Sequence, residues 1–207
     1  MGCGDHWPRC YGSWFPPLDQ PTLVIEWTHR LLAAITVAMV SALVALAFAK
    51  RSESGVSGRG GVLRAASLAG CLIIVQALLG MVTVRMGNSA AATVAHLLNG
   101  ALLLAALAAT VLRTGGLGGR LTDRATPMRS RASRGSAAAA AIALATVLFG
   151  GLTAKIPGAN SACTGFPLCS GSLLPALPAQ HVQFTHRLLA FLLFLHVLGL
   201  MIGFTRR

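Results

Sequence analysis

A histidine set one or two turns inside an apolar helix is costly unless it serves as a ligand, a relay or part of an ion path. This chain makes that feature twice. Glu26-Trp27-Thr28-His29-Arg30-Leu31-Leu32-Ala33 opens one apolar stretch, and Gln183-Phe184-Thr185-His186-Arg187-Leu188-Leu189-Ala190 opens another. Six consecutive residues, Thr-His-Arg-Leu-Leu-Ala, are the same in both. A third histidine, His96, stands in Ala95-His96-Leu97-Leu98-Asn99, at a similar depth in its own run. Two imidazoles at matching depth on two helices can take both axial positions of a haem iron. That is the chemistry His29 and His96 predict, with His186 as the corresponding donor of a second site. Glu26 precedes His29 by three residues and shares its helical face, where a carboxylate can reach a ligand on the iron. The second copy has Gln183 there, the same shape without the charge. The first copy therefore reads as reactive, and the second as a holding or electron-transfer site. Glu26 also stands four residues before Arg30, so an ion pair along the helix is the plainer use of the same carboxylate.

The elements that must position these groups are transmembrane helices. Hydrophobic residues make up 55% of the chain and charged residues 11%. The apolar residues come in five long runs, 31–49, 65–84, 89–112, 136–154 and 188–205. Each is close to the ~20 residues needed to cross ~30 Å of hydrocarbon. Five such runs leave too little polar sequence to coat a soluble core. The expected fold is all-α, a multi-pass transmembrane helix bundle.

The net charge of +12 could suggest nucleic acid, but its distribution argues against that partner. Lys50, Arg51, Arg59 and Arg64 fall between the first two runs. Arg113, Arg120, Arg124, Arg129, Arg131 and Arg134 fall between the third and fourth, and Arg206 and Arg207 close the chain. If the chain crosses at every run, these twelve of the seventeen basic residues share one side. That is the positive-inside pattern, which makes these loops and the C-terminus cytoplasmic. The opposite side holds four of the five cysteines: Cys3, Cys10, Cys163 and Cys169. Cys71, inside a run, reads as a small apolar residue.

The two cysteine segments follow one plan. Each reads Cys, a spacer, aromatic-Pro-x-Cys-x-Gly-Ser, then prolines, then a His-Arg helix. Turn residues between close cysteines suit a disulfide-closed loop or a redox-active pair. Zinc is the competing reading, although neither pair has a second pair of ligands at a usual spacing. Pro21 and Pro178 open the helices that follow. His29 and His186 each come eight residues later, roughly 12 Å down the helix. The second run carries a small and polar seam of Gln76, Gly80 and Thr83, suited to close helix packing. The end of the fourth run, Phe149-Gly150-Gly151-Leu152-Thr153, is similar to it. Asn99 shares the face of His96. His196 lies about 80° around the helix from His186 and reads as a packed histidine. His6 and His181 are loop residues with no expected role.

Taken together, Glu26-Trp27-Thr28-His29-Arg30, Ala95-His96-Leu97, residues 151–160, the Cys163–Cys169 loop and Phe184-Thr185-His186-Arg187 resemble the heme A synthase family. These multi-pass enzymes convert haem O to haem A for cytochrome oxidases. The resemblance implies two pseudo-symmetric four-helix bundles of eight helices, each with a histidine pair for haem. It implies that Glu26, His29 and His96 belong to a catalytic half that oxidises a ring methyl to a formyl group. It implies that Cys3–Cys10 and Cys163–Cys169 are loop pairs on the extracytoplasmic side. The pattern here supplies five of the eight helices, and the order of elements predicts one helix before Met1 and two after Arg207. The start, Met1-Gly2-Cys3-Gly4-Asp5, lacks the basic and apolar parts of a signal peptide.

The expected organisation is an N-terminal bundle over 1–112, a cytoplasmic basic linker over 113–135, and the first part of a second bundle over 136–207. Haem b is the expected cofactor and haem O the substrate. Expected partners are the bilayer of a bacterial cell membrane, an enzyme that makes haem O, an unnamed electron acceptor and a possible second copy of the chain. Two other classes compete: a bis-histidine cytochrome that only carries electrons, and a membrane thiol–disulfide oxidoreductase. The first has no need of Glu26. The second gives the repeated Thr-His-Arg-Leu-Leu-Ala no place.

Overall fold

Long apolar runs with no internal proline have one way to satisfy their backbone in lipid, which is to coil into helices. The structure, a computed structural model, describes Cys3 and residues 9–115 and 131–205. Five α-helices follow in order: α1 (Pro21–Ala49), α2 (Val62–Arg85), α3 (Ala90–Arg113), α4 (Arg131–Lys155) and α5 (Pro178–Thr205). A 3-10 turn, Ala159–Ser161, lies between α4 and α5. Among the described residues there is no β-strand beyond two isolated bridges. Most of the basic loop expected at 113–135 lies outside the described residues, with Arg120, Arg124 and Arg129. So do His6, Arg206, Arg207 and the side chain of Arg131.

Each of the five apolar runs lies on one helix, apart from Ser89, which precedes α3. α1 and α5 reach back to Pro21 and Pro178, which take the first helical positions, where a missing N–H costs nothing. Ser89 caps α3 by accepting the N–H of Ala92 at 3.4 Å. Arg85, Arg113 and Lys155 stand in the last turns of α2, α3 and α4, where a cation favours the helix dipole.

All five helices are long and apolar enough to cross a membrane. At most 22% of any spanning window is buried inside the molecule, so the greasy side chains point outward. Leu104, Phe194 and Met39 are typical, each more than 60% exposed. That surface is the inverse of a soluble protein and suits a helical membrane protein with lipid around it.

The residues pack as two units. Unit 1 spans Met1–Gly87 and Leu102–Arg124, and unit 2 spans Asn88–Ala101 and Ala125–Arg207. Helix α3 thus gives its second half to the first unit and its first half, with His96, to the second. The core of unit 1 is Val40, Ala69, Ile73, Leu103 and Ala106. Small residues let the backbones approach: a Cβ on Gly70 would lie 3.0 Å from Val44 Cγ2. Arg113 donates to the carbonyl of Gly61 at 3.1 Å and so ties the end of α3 to the start of α2. Unit 2 is built chiefly on α4 against α5. Gly151 of α4 makes room for Leu97 of α3, since a Cβ there would lie 2.6 Å from Leu97 Cδ1.

Candidate functional site

The turns that follow Cys10 and Cys169 fold alike, for a reason visible in their shared Cys-x-Gly-Ser. Tyr11 and Gly12 both have positive φ, as do Ser170 and Gly171. Two successive positive φ values make the tight turn that joins antiparallel neighbours, and glycine takes the second place without steric cost. Cys10 and Ser13 exchange backbone hydrogen bonds of 2.9 and 3.1 Å across the first turn. Cys169 and Ser172 do the same at 3.1 and 3.0 Å. Each serine hydroxyl then bonds the backbone two residues on, at Phe15 and at Leu174. Disulfides close both loops, Cys3–Cys10 and Cys163–Cys169. All four sulfurs are buried.

The loops dock on α1 and α5 at one register by different means. Cys3 Sγ lies 3.8 Å from the carbonyl oxygen of Leu23, and Cys163 Sγ lies 3.7 Å from that of Gln180, its counterpart. In unit 1 the contact is apolar. Leu23 is buried with Cys3 and Cys10, and Trp27 packs on them. Phe15 completes the patch, its ring centroid 5.6 Å from that of Trp27. In unit 2 the contact is polar. Gln183 accepts the N–H of Cys163 at 2.6 Å and donates to the carbonyl of Asn160 at 2.7 Å. Gln180 donates to the carbonyl of Ala162 at 3.2 Å. Arg187 donates to the carbonyls of Gly165 and Cys163 at 2.6 and 3.1 Å.

Gln183, whose position suggests an uncharged counterpart of Glu26, is instead a loop anchor. The side chain is buried and both ends of its amide are bonded to the loop. The signal that points to it is the stripe Gln180, Gln183, Arg187 along one face of α5, just after a proline. In unit 1 the carboxylate of Glu26 instead pairs with Arg30, four residues on, as the spacing allows. Glu26 and Arg30 are both partly buried, and His29 is exposed on α1.

The histidines of unit 2 have defined partners. His186 Nδ1 lies 3.0 Å from the carbonyl oxygen of Thr146 on α4. A carbonyl only accepts, so Nδ1 carries the proton, and in the neutral ring the lone pair belongs to Nε2. His196, further along α5, is set the other way: its Nε2 lies 2.9 Å from the carbonyl of Gly135. Both histidines thus turn toward α4, although about 80° apart around α5. His96 is partly buried with its Nδ1 shielded from solvent. Asn99, at i+3, is buried. Cys71 faces outward in an apolar groove between α1 and α2. His181 is exposed.

These donors suit haem. The porphyrin supplies four in-plane nitrogens, so the protein need offer only axial imidazoles. A neutral imidazole held through Nδ1–H by a backbone carbonyl, with Nε2 as donor, is the usual form of such a ligand. His186 has that form. Glu26 and His29 lie together in unit 1, and His96 and His186 in unit 2.

The whole chain, residues 1–207, matches the protein-family model described as cytochrome oxidase assembly protein. The chain is similar to the heme A synthase of Shouchella clausii, 34% identical over 203 residues, covering 97% of this chain and 65% of that protein. It is similar to the heme A synthase of Alkalihalophilus pseudofirmus, 30% identical over 206 residues, with 97% and 66% covered. It is also similar to that of Bacillus pumilus, 29% identical over 205 residues, with 95% and 63% covered. The chain therefore spans slightly less than two thirds of the length of these relatives.

Proposed function

The chain belongs to the cytochrome oxidase assembly protein family, and from that premise we propose that it is a membrane oxidoreductase which oxidises a methyl group of haem O to a formyl group, giving haem A. The observation that carries this reading is the division of labour between the two His-Arg helices. Gln183 is taken up in holding its loop, whereas Glu26 remains on α1 with Arg30, one turn from His29. A carboxylate in that place can accept a proton from water or stabilise positive charge at the substrate carbon. With water as the oxygen source, converting methyl to formyl adds one oxygen and releases four electrons and four protons. Bound haem iron would supply the one-electron chemistry. His29 would hold it beside Glu26, and His186 would hold haem b in the second unit. Arg30 would hold the Glu26 side chain in place along α1.

In this reading the bundles over 1–112 and 136–207 are joined by a cytoplasmic basic loop. The cysteine loops face the outside of a bacterial cell membrane, and the positive-inside charges support that orientation. Haem O would arrive from the membrane enzyme that makes it, and the electrons would leave to a separate acceptor. The test is to extract haem from membranes that express this chain with a haem O source, and to separate the products by chromatography. Haem A is expected. Bound haem b or haem O without haem A would favour a cytochrome that only carries electrons.

A further inference from the structure

We propose that Gly150 and the backbone carbonyl of Thr146 are positioning groups for His186, which together fix its ring orientation and leave Nε2 as the ligand nitrogen. This rests on the reading of His186 as a haem ligand. Thr146 lies within α4, where its carbonyl would ordinarily serve the N–H of residue 150 alone. A carbonyl oxygen has two lone pairs, and the second takes the proton of His186 Nδ1 at 3.0 Å. The ring approaches this carbonyl alongside the residue one turn ahead in α4. That residue is Gly150. A Cβ there would lie 3.0 Å from His186 Cε1, 3.4 Å from Nδ1 and 3.7 Å from Nε2. The obstacle would meet a rigid ring, which has no flexible end to move aside.

The hydroxyl of Thr146 is turned away from this contact, since it donates to the carbonyl of Ile142 at 2.7 Å. The contact is thus made by backbone and by the absence of a side chain. Its effect is chemical as well as steric: an Nδ1–H bond to a carbonyl makes Nε2 a stronger donor and stops the ring turning. His196 supplies an internal contrast. It is on the same helix and also bonds a carbonyl of α4, but through Nε2, which leaves its lone pair on Nδ1.

The experiment compares wild type, Gly150→Ala, His186→Ala and Gly199→Ala in nanodiscs. Gly199→Ala makes the same change on α5, where a Cβ meets nothing within 4 Å. One readout is the rate of haem release from the loaded full chain. The other is the histidine tautomer, read by nitrogen-15 NMR on the haem-free full chain, with His186→Ala assigning the signal. Wild type is expected to show His186 as Nδ1–H and His196 as Nε2–H. Gly150→Ala is expected to lose the single His186 tautomer and to release haem roughly 10- to 100-fold faster, the usual scale for an outer-shell partner. Gly199→Ala is expected to match wild type. A wild-type His186 found as Nε2–H overturns the proposal, even if Gly150→Ala fails to accumulate. So does a Gly150→Ala chain with unchanged tautomer and release rate. A His186→Ala chain with undiminished haem overturns the ligand reading itself, and the wild-type tautomer tells the two failures apart.

Discussion

The first cysteine loop is held to α1 by Leu23 and Trp27, the second to α5 by Gln180, Gln183 and Arg187, although both helices carry Thr-His-Arg-Leu-Leu-Ala. The turn geometry, the disulfide and the register on the helix are common to both. What differs is the residue seven before the arginine, Leu23 against Gln180, and the residue four before it. Where it is Glu26, Arg30 pairs with it along the helix. Where it is Gln183, Arg187 reaches out to two loop carbonyls, and the glutamine itself bonds the loop. An apolar dock spares the polar side chains of α1, so the first unit can keep a carboxylate beside its histidine. A polar dock uses them, and the second unit has none to spare.

Changes on the two docks should therefore loosen different loops. The largest effect is expected for Leu23→Ala. Removing a buried leucine beside Cys3 and Cys10 should cost about 3 kcal/mol. Reduction of Cys3–Cys10 by a phosphine should accelerate roughly 100-fold at that cost, with Cys163–Cys169 unchanged. Equal acceleration of both would mean that the loops are not docked independently.

Gln183→Ala should do the converse, more weakly. It strips partners from the N–H of Cys163 and the carbonyl of Asn160, at about 2 kcal/mol. Mass-spectrometric alkylation after mild reduction should find Cys163 and Cys169 labelled first. Gln183→Glu should fall lower, at about 1 kcal/mol, because a carboxylate still accepts from Cys163 but cannot donate to Asn160. It should also draw Arg187 from the loop as Glu26 draws Arg30. If Gln183→Glu leaves the loop as tight as wild type, the choice of arginine partner is not set by that position. Gly199→Ala, exposed inside α5, should raise thermal stability by no more than about 1 kcal/mol, the helix preference of alanine over glycine.

The helices were legible because long apolar runs admit one backbone solution in lipid. The loops were legible because Cys-x-Gly-Ser encodes a turn with two positive φ values. The Glu26–Arg30 pair was visible from its spacing of four. The role of Gln183 was not, since its partners lie about twenty residues upstream, on backbone atoms that any residue would provide. The Thr146–His186 bond was hidden for the same reason. Its acceptor is a main-chain carbonyl, and its one trace in the sequence is a glycine that also fits a packing seam.

The most direct measurement is product analysis on Glu26→Gln membranes adjusted to the wild-type haem content and supplied with haem O. Bound haem is expected, with haem A lowered at least roughly 100-fold, the scale of a lost acid–base group. Haem A at the wild-type level would contradict it, and would leave Glu26 as a helix ion-pair partner for Arg30.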